Sequence, residues 1–215
     1  MKNLTKNKSI AIDGPVGAGK STIARAVAKE LGFIYVDTGA LYRALGVHFG
    51  DNEFDNSVKA DLRFIDGEQR VYVNDTDYTD KIRTPEASML ASAISAKVEV
   101  REFLLELQRS FAREQSVVMD GRDIGTVVLP NADIKIFLTA KPEERARRRY
   151  DELISRGMEA DFEEVLADLN KRDYNDSHRE HAPLKQADDA IVADTTGNTF
   201  EQSVKQILEI IKNHD

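Results

Sequence analysis

The chain of 215 residues is 41% hydrophobic and 32% charged, which excludes a wholly disordered chain and suits one globular domain with a sizeable insertion. A net charge of −8 disfavours nucleic acid as the main partner, and the absence of cysteine excludes disulfides and cysteine-based metal or redox sites. Its apolar stretches fall far short of the ~20 residues that span a bilayer, and polar residues 1–8 contain no export signal, so we expect a cytoplasmic protein without a membrane partner.

Five short β-branched or apolar segments predict core strands, separated by helical periodicity or polar loops. The predicted strands span residues 9–13, 33–36, 116–120, 134–138 and 190–194. Apolar residues at helical spacing predict helices at residues 19–31 and 98–113, and two capping boxes that begin at Asp161 and Thr199 predict two more. This alternation predicts an α/β fold in which helices cover both faces of a parallel sheet.

Two regions interrupt the sheet and divide the single predicted domain. The core comprises residues 8–40, 114–141 and 189–215, with an insert at about 41–113 and a polar, arginine-rich, helical lid at about 142–188. Within the insert, residues 62–65 and 71–73 flank an Asp66-Gly67 turn, which predicts a β-hairpin. We therefore expect one core with two peripheral insertions.

The most specific local motif is a phosphate-binding loop, or P-loop, directly after the first predicted strand. Residues 14–21 match G-x-x-x-x-G-K-[ST], in which glycines let successive backbone N–H groups face phosphate oxygens at a helix N-terminus. Lys20 is expected to contact the β- and γ-phosphates, and the Ser21 hydroxyl to bind Mg²⁺. The predicted ATP-binding residues are Gly14, Pro15, Val16, Gly17, Ala18, Gly19, Lys20, Ser21 and Thr22.

Two further patterns favour a GTPase-type switch or nucleotide-dependent binding protein, but their context argues against it. Residues 170–173 match N-K-x-D, and residues 194–197 match D-x-x-G. The first pattern ends a helical segment instead of following a strand. The second comes after the first in the chain, although a switch motif should precede it. A small-molecule kinase is therefore the favoured interpretation.

Polar residues at the carboxyl ends of two predicted strands support a kinase. The segments 37–43 and 120–126 follow the second and third strands, and ligands of parallel sheets bind at that edge. Asp120 is the expected second magnesium anchor, acting through coordinated water. Arg43 and Arg122 offer guanidinium groups to the phosphate of an acceptor.

The arginine-rich start of the predicted lid carries a further expectation. Arg145 and Arg149 share one side of a helix that begins at Pro142. A mobile segment that closes these side chains over the triphosphate would supply transition-state charge and exclude water, which otherwise hydrolyses ATP. We therefore predict catalytic roles for Arg145 and Arg149 alongside Lys20 and Arg122.

The P-loop, residues 37–43 and residues 119–128 (M-D-G-R-D-I-G-T-V-V) together resemble bacterial-type cytidylate kinases of the nucleoside monophosphate kinase fold, and the resemblance covers nearly the whole chain. It implies phosphoryl transfer from ATP to CMP or dCMP with Mg²⁺, on a five-stranded parallel core. We expect a monomer. A P-loop kinase for another small acceptor remains the alternative of the same chemistry. The insert is shorter than the family usually has, because residues 50–54 stand where a helix is expected.

The resemblance also implies which residues bind CMP. They form three groups: for the acceptor phosphate, Thr38, Arg43 and Arg122; for cytosine, Ser92, Arg109 and Asp123; around the sugar and phosphate, Arg172, Asp176 and Arg179. Asp123 is expected to accept a hydrogen bond from the cytosine amine, directly or through a pair with Arg109. Uracil carries a carbonyl at that position, which a carboxylate rejects.

Overall fold

A computed structural model of the chain describes residues 7–214. Its strands are β1 (Ser9–Asp13), β2 (Ile34–Asp37), β3 (Ala60–Ile65), β4 (Glu68–Val73), β5 (Thr76–Asp77), β6 (Val117–Gly121), β7 (Ile134–Thr139) and β8 (Ile191–Asp194). Its α-helices are α1 (Lys20–Leu31), α2 (Thr38–Phe49), α3 (Pro85–Ile94), α4 (Val98–Glu114), α5 (Pro142–Ser155), α6 (Phe162–His178) and α7 (Phe200–Asn213). A short π-helical turn, Ile124–Val128, follows β6.

Five strands form one parallel sheet in the order β2-β6-β1-β7-β8, which confirms the predicted α/β core. Each of the five predicted core strands is present, with bounds that differ from the prediction by one residue at most. Strand β1 lies at the centre of the sheet, and all of its residues are buried. The carboxyl ends of β1, β2 and β6 therefore lie side by side at one edge.

The two faces of the sheet belong to two different apolar clusters, because successive strand residues point to opposite sides. Ile10 and Ile12 of β1 pack on the side that α1 and α7 cover. Ala11, between them, packs on the side that α2 and α4 cover. This second cluster extends into the insert, where it includes Leu62 and Val71. The insert is therefore part of the same folded unit as the core.

The insert forms an antiparallel sheet in the order β3-β4-β5. Asp66 and Gly67 have φ values of 53° and 80°, the left-handed conformation that the predicted two-residue hairpin turn requires. Strand β5 and helix α3 were not predicted. The start of α3 has a visible signal, because the Thr84 hydroxyl caps the helix and Pro85 occupies its first turn. As expected, the described residues 50–59 contain no helix.

Helices α5 and α6 form the predicted lid segment and pack around a small apolar cluster of Val16, Ala146 and Leu169. Since Val16 belongs to the P-loop, the base of the lid is attached to that loop. None of the helices in residues 7–214 combines the length and the apolar character needed to cross a lipid bilayer.

Candidate active site

A cavity of about 520 Å³ opens at the carboxyl edge of the sheet, between the core, the insert and the lid. The P-loop lines one side, and residues that follow β2 and β6 line the floor. Side chains of α3, α4 and α6 complete the opposite side. The cavity thus brings together segments that the sequence analysis selected independently, as expected for ligands at the switch point of a parallel sheet.

Glycines shape the P-loop at positions where a side chain has no room. Gly14 has a φ of +152°, and a Cβ built there would lie 2.0 Å from the backbone oxygen of Leu138. Gly19, with a φ of +85°, allows the turn directly before α1. The loop therefore passes close to β7 and leads into the N-terminus of α1. Backbone N–H groups of such a loop and helix start bind phosphate.

Lys20 lies buried in the P-loop and faces the cavity. Its Nζ donates a hydrogen bond of 2.6 Å to the backbone oxygen of Pro15. Burial lowers the pKa of Lys20 to about 7, and the nearby Arg122 cation adds to the shift. A negatively charged ligand beside Lys20 would favour its charged form and so oppose both effects.

The residues predicted for magnesium lie together. Ser21 Oγ donates to Asp120 Oδ2 at 3.0 Å, and the Tyr35 hydroxyl donates to Oδ1 at 2.8 Å. Burial and the neighbouring Asp37 carboxylate raise the pKa of Asp120 to about 6. Among the described residues, no group of three or more His, Asp or Glu side chains is arranged to hold a metal. A hydroxyl and one carboxylate fit Mg²⁺, which keeps several waters and shares substrate phosphates.

The predicted phosphate-binding residues of the acceptor line the same cavity. Thr38 Oγ1 donates to the backbone oxygen of Asp120 at 2.8 Å, which ties the start of α2 to the end of β6. Arg43 Nη2 donates to Asp37 Oδ2 at 2.7 Å. Because Asp37 also accepts from the Ala40 N–H, its carboxylate fixes both the helix start and the Arg43 guanidinium.

Three cavity residues of α6 and its C-terminal end lie across from the P-loop. Arg122 Nε donates to Asp176 Oδ2 at 2.7 Å, so Asp176 orients a predicted phosphate ligand. Burial lowers the pKa of the Arg172 guanidinium, with a contribution from the Arg122 cation. Within the described residues, Nε of Arg172 and Nη2 of Arg179 are buried without a hydrogen-bond partner. Both residues line the cavity, where a guanidinium cation suits an incoming anion.

Asp123 faces the cavity from the segment after β6 and forms a buried ion pair with Arg101 of α4. Arg179 Nη2 lies 3.5 Å from the other carboxylate oxygen of Asp123. Ser92, as predicted, lines the cavity nearby on α3. The sequence analysis missed Arg101. A signal was present, because a charged residue occurs on the apolar side of α4.

The prediction that Arg109 pairs with Asp123 is wrong. Arg109 donates from Nε to the backbone oxygen of Val128 and from Nη2 to that of Val127, both at 2.9 Å. These carbonyl oxygens belong to the π-helical turn, and Arg109 satisfies them as a hydrogen-bond donor. Arg109 does not line the cavity, and Arg101, two helical turns earlier, occupies the predicted position.

The sequence analysis also missed Asp13, the last residue of β1. Its buried carboxylate accepts the N–H groups of Ile124 at 2.8 Å and Gly125 at 2.7 Å. Burial raises the pKa of Asp13 to about 6, although the two backbone hydrogen bonds oppose this shift. The carboxylate thereby joins the start of the P-loop to the segment that carries Asp123.

The two lid arginines lie in different places. Arg149 lines the cavity and donates to Glu152 at 2.7 Å. Arg145 is only 5% exposed and does not line the cavity. It donates to the backbone oxygens of Ala140 and Val16, behind the P-loop. The prediction that Arg145 acts on the transferred group from a mobile lid is therefore wrong.

The remaining predicted ATP ligands, Pro15, Gly17, Ala18 and Thr22, lie in the same loop and first helical turn. Gly17 and Thr22 line the cavity. The N-K-x-D pattern that favoured a GTPase lies inside α6, which excludes the strand-to-loop context that guanine recognition needs. A P-loop that faces a second group of paired arginines across one cavity defines a P-loop kinase for a small acceptor.

Comparison with solved structures supports the fold. A shikimate kinase from Acinetobacter baumannii, solved with shikimate, superimposes with a TM-score of 0.51 at 18% identity and covers 100% of this chain and 98% of its own. An uncharacterized protein from Eubacterium ventriosum gives a TM-score of 0.58 at 13% identity, covering 96% and 99%. At such low identity these likenesses establish the fold alone.

The sequence comparisons identify the family. The family described as Cytidylate kinase matches residues 10–213. A cytidylate kinase of Carboxydothermus hydrogenoformans is 52% identical over 213 residues, which cover 94% of this chain and 96% of the relative. One of Caldicellulosiruptor bescii is 48% identical, covering 95% and 96%. The chain belongs to the cytidylate kinase family.

Proposed function

We propose that the chain transfers the γ-phosphoryl group of ATP to CMP, and to dCMP, giving ADP and CDP or dCDP. Its membership of the cytidylate kinase family supports this reaction. The observation that carries the base assignment is the buried Asp123–Arg101 pair at the acceptor side of the cavity. A carboxylate and a guanidinium side by side match the amine donor and the ring acceptors of cytosine.

On the donor side, the backbone N–H groups of the P-loop and Lys20 hold the β- and γ-phosphates. Ser21 would bind Mg²⁺ directly and Asp120 through coordinated water. Their oxygens lie 3.0 Å apart at the end of the loop, so both can contribute to one site. A Mg²⁺ ion held by these residues would supply positive charge that neutralises the phosphates. Tyr35 holds the other oxygen of Asp120, which keeps the carboxylate turned toward Ser21.

On the acceptor side, Arg43 and Arg122 bind the monophosphate, with Thr38 at the helix start beside them. Both arginines are already oriented by carboxylates, Asp37 and Asp176 respectively. The attacking phosphate oxygen is ionised, so the reaction needs no protein base. Catalysis then rests on positioning the two phosphates in line and on neutralising charge. Arg149 contributes charge from the lid side, where closure excludes water.

Base selection rests on Asp123. Its carboxylate accepts from the exocyclic amine of cytosine, while Arg101 donates to the ring acceptors and Ser92 lies within the same wall. Arg172, Asp176 and Arg179 surround the sugar and phosphate. We also propose that the enzyme acts as a monomer, in the cytoplasm where its substrates occur.

The test is a coupled assay of ADP release with CMP, dCMP, UMP, AMP and GMP. We expect CMP and dCMP to be the best acceptors. Asp123→Asn should reduce the ratio of kcat/KM for CMP to that for UMP by about tenfold or more, because an amide can donate to the uracil carbonyl. The ratio is insensitive to the fraction of folded enzyme.

Asp176→Asn is the matched control, since it loosens Arg122, which contacts a phosphate common to both nucleotides. It should reduce both kcat/KM values by the same factor. A CMP to UMP ratio that Asp123→Asn leaves unchanged would show that Asp123 only holds Arg101 in place. A preference for a purine monophosphate would point to the alternative acceptor.

A further inference from the structure

The P-loop is held from behind at one residue, Val16, through the two peptide groups on either side of its Cα. The Val16 N–H donates to Asp173 Oδ1 at 2.9 Å, and its backbone oxygen accepts from Arg145 Nη1 at 2.7 Å. The Val16 side chain packs on Ala146 and Leu169 of the lid helices. Both polar backbone groups of Val16 are therefore engaged by protein. Val16 lies in the predicted ATP-binding loop, but its N–H already donates to Asp173.

Arg145 and Asp173 also bind each other. Arg145 Nη1 lies 2.6 Å from Asp173 Oδ2, and Arg145 Nε donates to the Ala140 backbone oxygen at 2.8 Å. The Arg145 side chain is 6% exposed and that of Asp173 is 20% exposed. The pair is thus largely desolvated and satisfied by further hydrogen bonds, the condition under which a buried ion pair holds a defined geometry.

The next residue of the loop, Gly17, is also in close contact with the lid helices. A Cβ at Gly17 would lie 3.0 Å from the backbone oxygen of Arg145 and 3.2 Å from Leu169 Cδ1. The P-loop is therefore pressed against α5 and α6 at two successive residues. Movement of Asp173 or Arg145 would be transmitted to the loop directly, without an intervening layer of side chains.

Asp173 lies in a turn of α6 whose residues point to both the donor and the acceptor sides. Adjacent helix residues point about 100° apart. Arg172 accordingly lines the acceptor side of the cavity while Asp173 contacts the P-loop, and Asp176 returns to the cavity. Disturbing Asp173 alone should affect the donor loop, whereas displacing the whole helix should affect both substrates.

We propose that Asp173 is a positioning residue for the donor phosphate cradle, and that Arg145 orients it. Together they fix the backbone of Val16 on both sides of its Cα, so that the later N–H groups of the loop point into the cavity before ATP binds. Such preorganisation lowers the cost of ordering the loop and therefore strengthens donor binding. This inference rests on the proposed function, because it assumes that the loop binds the triphosphate of ATP.

The test compares Asp173→Asn and Asp173→Ala with the wild-type enzyme and with Glu163→Gln, an exposed carboxylate of the same helix. Titration calorimetry measures binding of the magnesium complex of β,γ-imido-ATP without an acceptor. We expect Asp173→Ala to weaken binding by about tenfold. Asp173→Asn should weaken it by less, because its amide oxygen still accepts the Val16 N–H. Glu163→Gln should match the wild type.

Steady-state kinetics and thermal melting separate positioning from a structural role. We expect KM for ATP to rise in both Asp173 variants, while KM for CMP stays within about twofold of the wild-type value. A lower Tm with unchanged binding of the imido analogue would overturn the proposal. So would an equal rise of both KM values, which indicates displacement of α6. If Asp173→Ala does not fold, Asp173→Asn decides alone.

The same calorimetry distinguishes failure of this inference from failure of the proposed function. If the wild-type enzyme does not bind the imido analogue, the proposed donor site is wrong and the inference falls with it. If the wild type binds the analogue and Asp173→Ala binds it equally well, only the positioning role of Asp173 is contradicted.

Discussion

The donor and acceptor sides of the cavity are built in different ways. The donor side is one continuous stretch, residues 14–22, in which glycines and backbone N–H groups form the binding surface. The acceptor side is assembled from side chains of α2, α3, α4, α6 and the segment after β6. A contiguous backbone motif can be recognised from spacing alone. A constellation of side chains from separate elements depends on how those elements pack.

The charges of the two sides differ in the same way. Three acceptor-side arginines lie against carboxylates, in the pairs Arg43–Asp37, Arg122–Asp176 and Arg101–Asp123. Lys20 on the donor side instead donates to a backbone oxygen, and its pKa is lowered to about 7. These three arginines are oriented by protein carboxylates, whereas in the proposed function Lys20 would gain its ionic partner from the triphosphate.

The largest expected effect is on the donor side. Lys20→Ala should reduce kcat by on the order of 10³-fold, because it removes a cation that acts on the transferred phosphoryl group. Circular dichroism should show an intact fold, since Lys20 contributes charge and little apolar packing. Retention of most of the wild-type kcat with ATP and CMP would contradict the assignment of the P-loop.

The next largest effect is expected at Arg149, which lines the cavity from α5. Arg149→Ala should reduce kcat by on the order of 10²-fold and change KM for CMP little, since a charge aimed at the transferred group acts mainly in the transition state. Arg147 is a poor control, because its guanidinium lies 4.4 Å from the Phe162 ring and braces α5 against α6.

Arg113, at the end of α4, is the better control for Arg149. Its side chain is 57% exposed and remote from the cavity, so Arg113→Ala should change kcat less than twofold. Equal losses in the two variants would show that removing an arginine has a general effect on this acidic protein and would remove Arg149 from the catalytic residues.

A third prediction addresses the acceptor side, where the sequence analysis selected the wrong arginine. Arg101→Ala should lower kcat/KM for CMP by on the order of 10²-fold, because it leaves Asp123 buried without its main partner. Arg109→Ala should leave kcat/KM for CMP within about threefold and instead lower the free energy of unfolding by about 1–3 kcal/mol, through loss of two hydrogen bonds. The reverse pattern would restore Arg109 as the base-reading residue.

The limits of prediction follow from this contrast between local and assembled features. The core strands, the Asp66-Gly67 turn and the Thr199 capping box were predicted, because each depends on neighbouring residues. The burial of Arg145 depends on the packing of the P-loop against two helices, and the spacing of residues along the sequence does not show this packing. Arg101 and Arg109 are two turns apart on α4, so which of them faces Asp123 depends mainly on the position of α4 along its axis relative to the core, and the sequence is compatible with both.

Asp13 is the residue where the two sides meet, and it supports the smallest prediction. It ends β1 directly before the P-loop, yet its carboxylate accepts the N–H groups of Ile124 and Gly125 on the acceptor side. No local motif predicts a bond between residues so far apart in the chain. Because burial raises the pKa of Asp13 from 3.8 to about 6, the folded state favours the neutral carboxyl group.

The sign of the resulting pH dependence follows from linkage. Stability that the neutral carboxyl group contributes is present below its unfolded pKa and is lost as the pH rises through about 6. Asp13→Asn cannot titrate. Urea unfolding at pH 5 and pH 7.5 should therefore show the free energy of unfolding of the wild type falling relative to Asp13→Asn by roughly 1 kcal/mol at the higher pH. A constant difference between the two proteins would mean that the backbone hydrogen bonds outweigh burial. Asp13 would then join donor and acceptor sides as a permanent carboxylate, whose hold on the Asp123 segment does not change with pH.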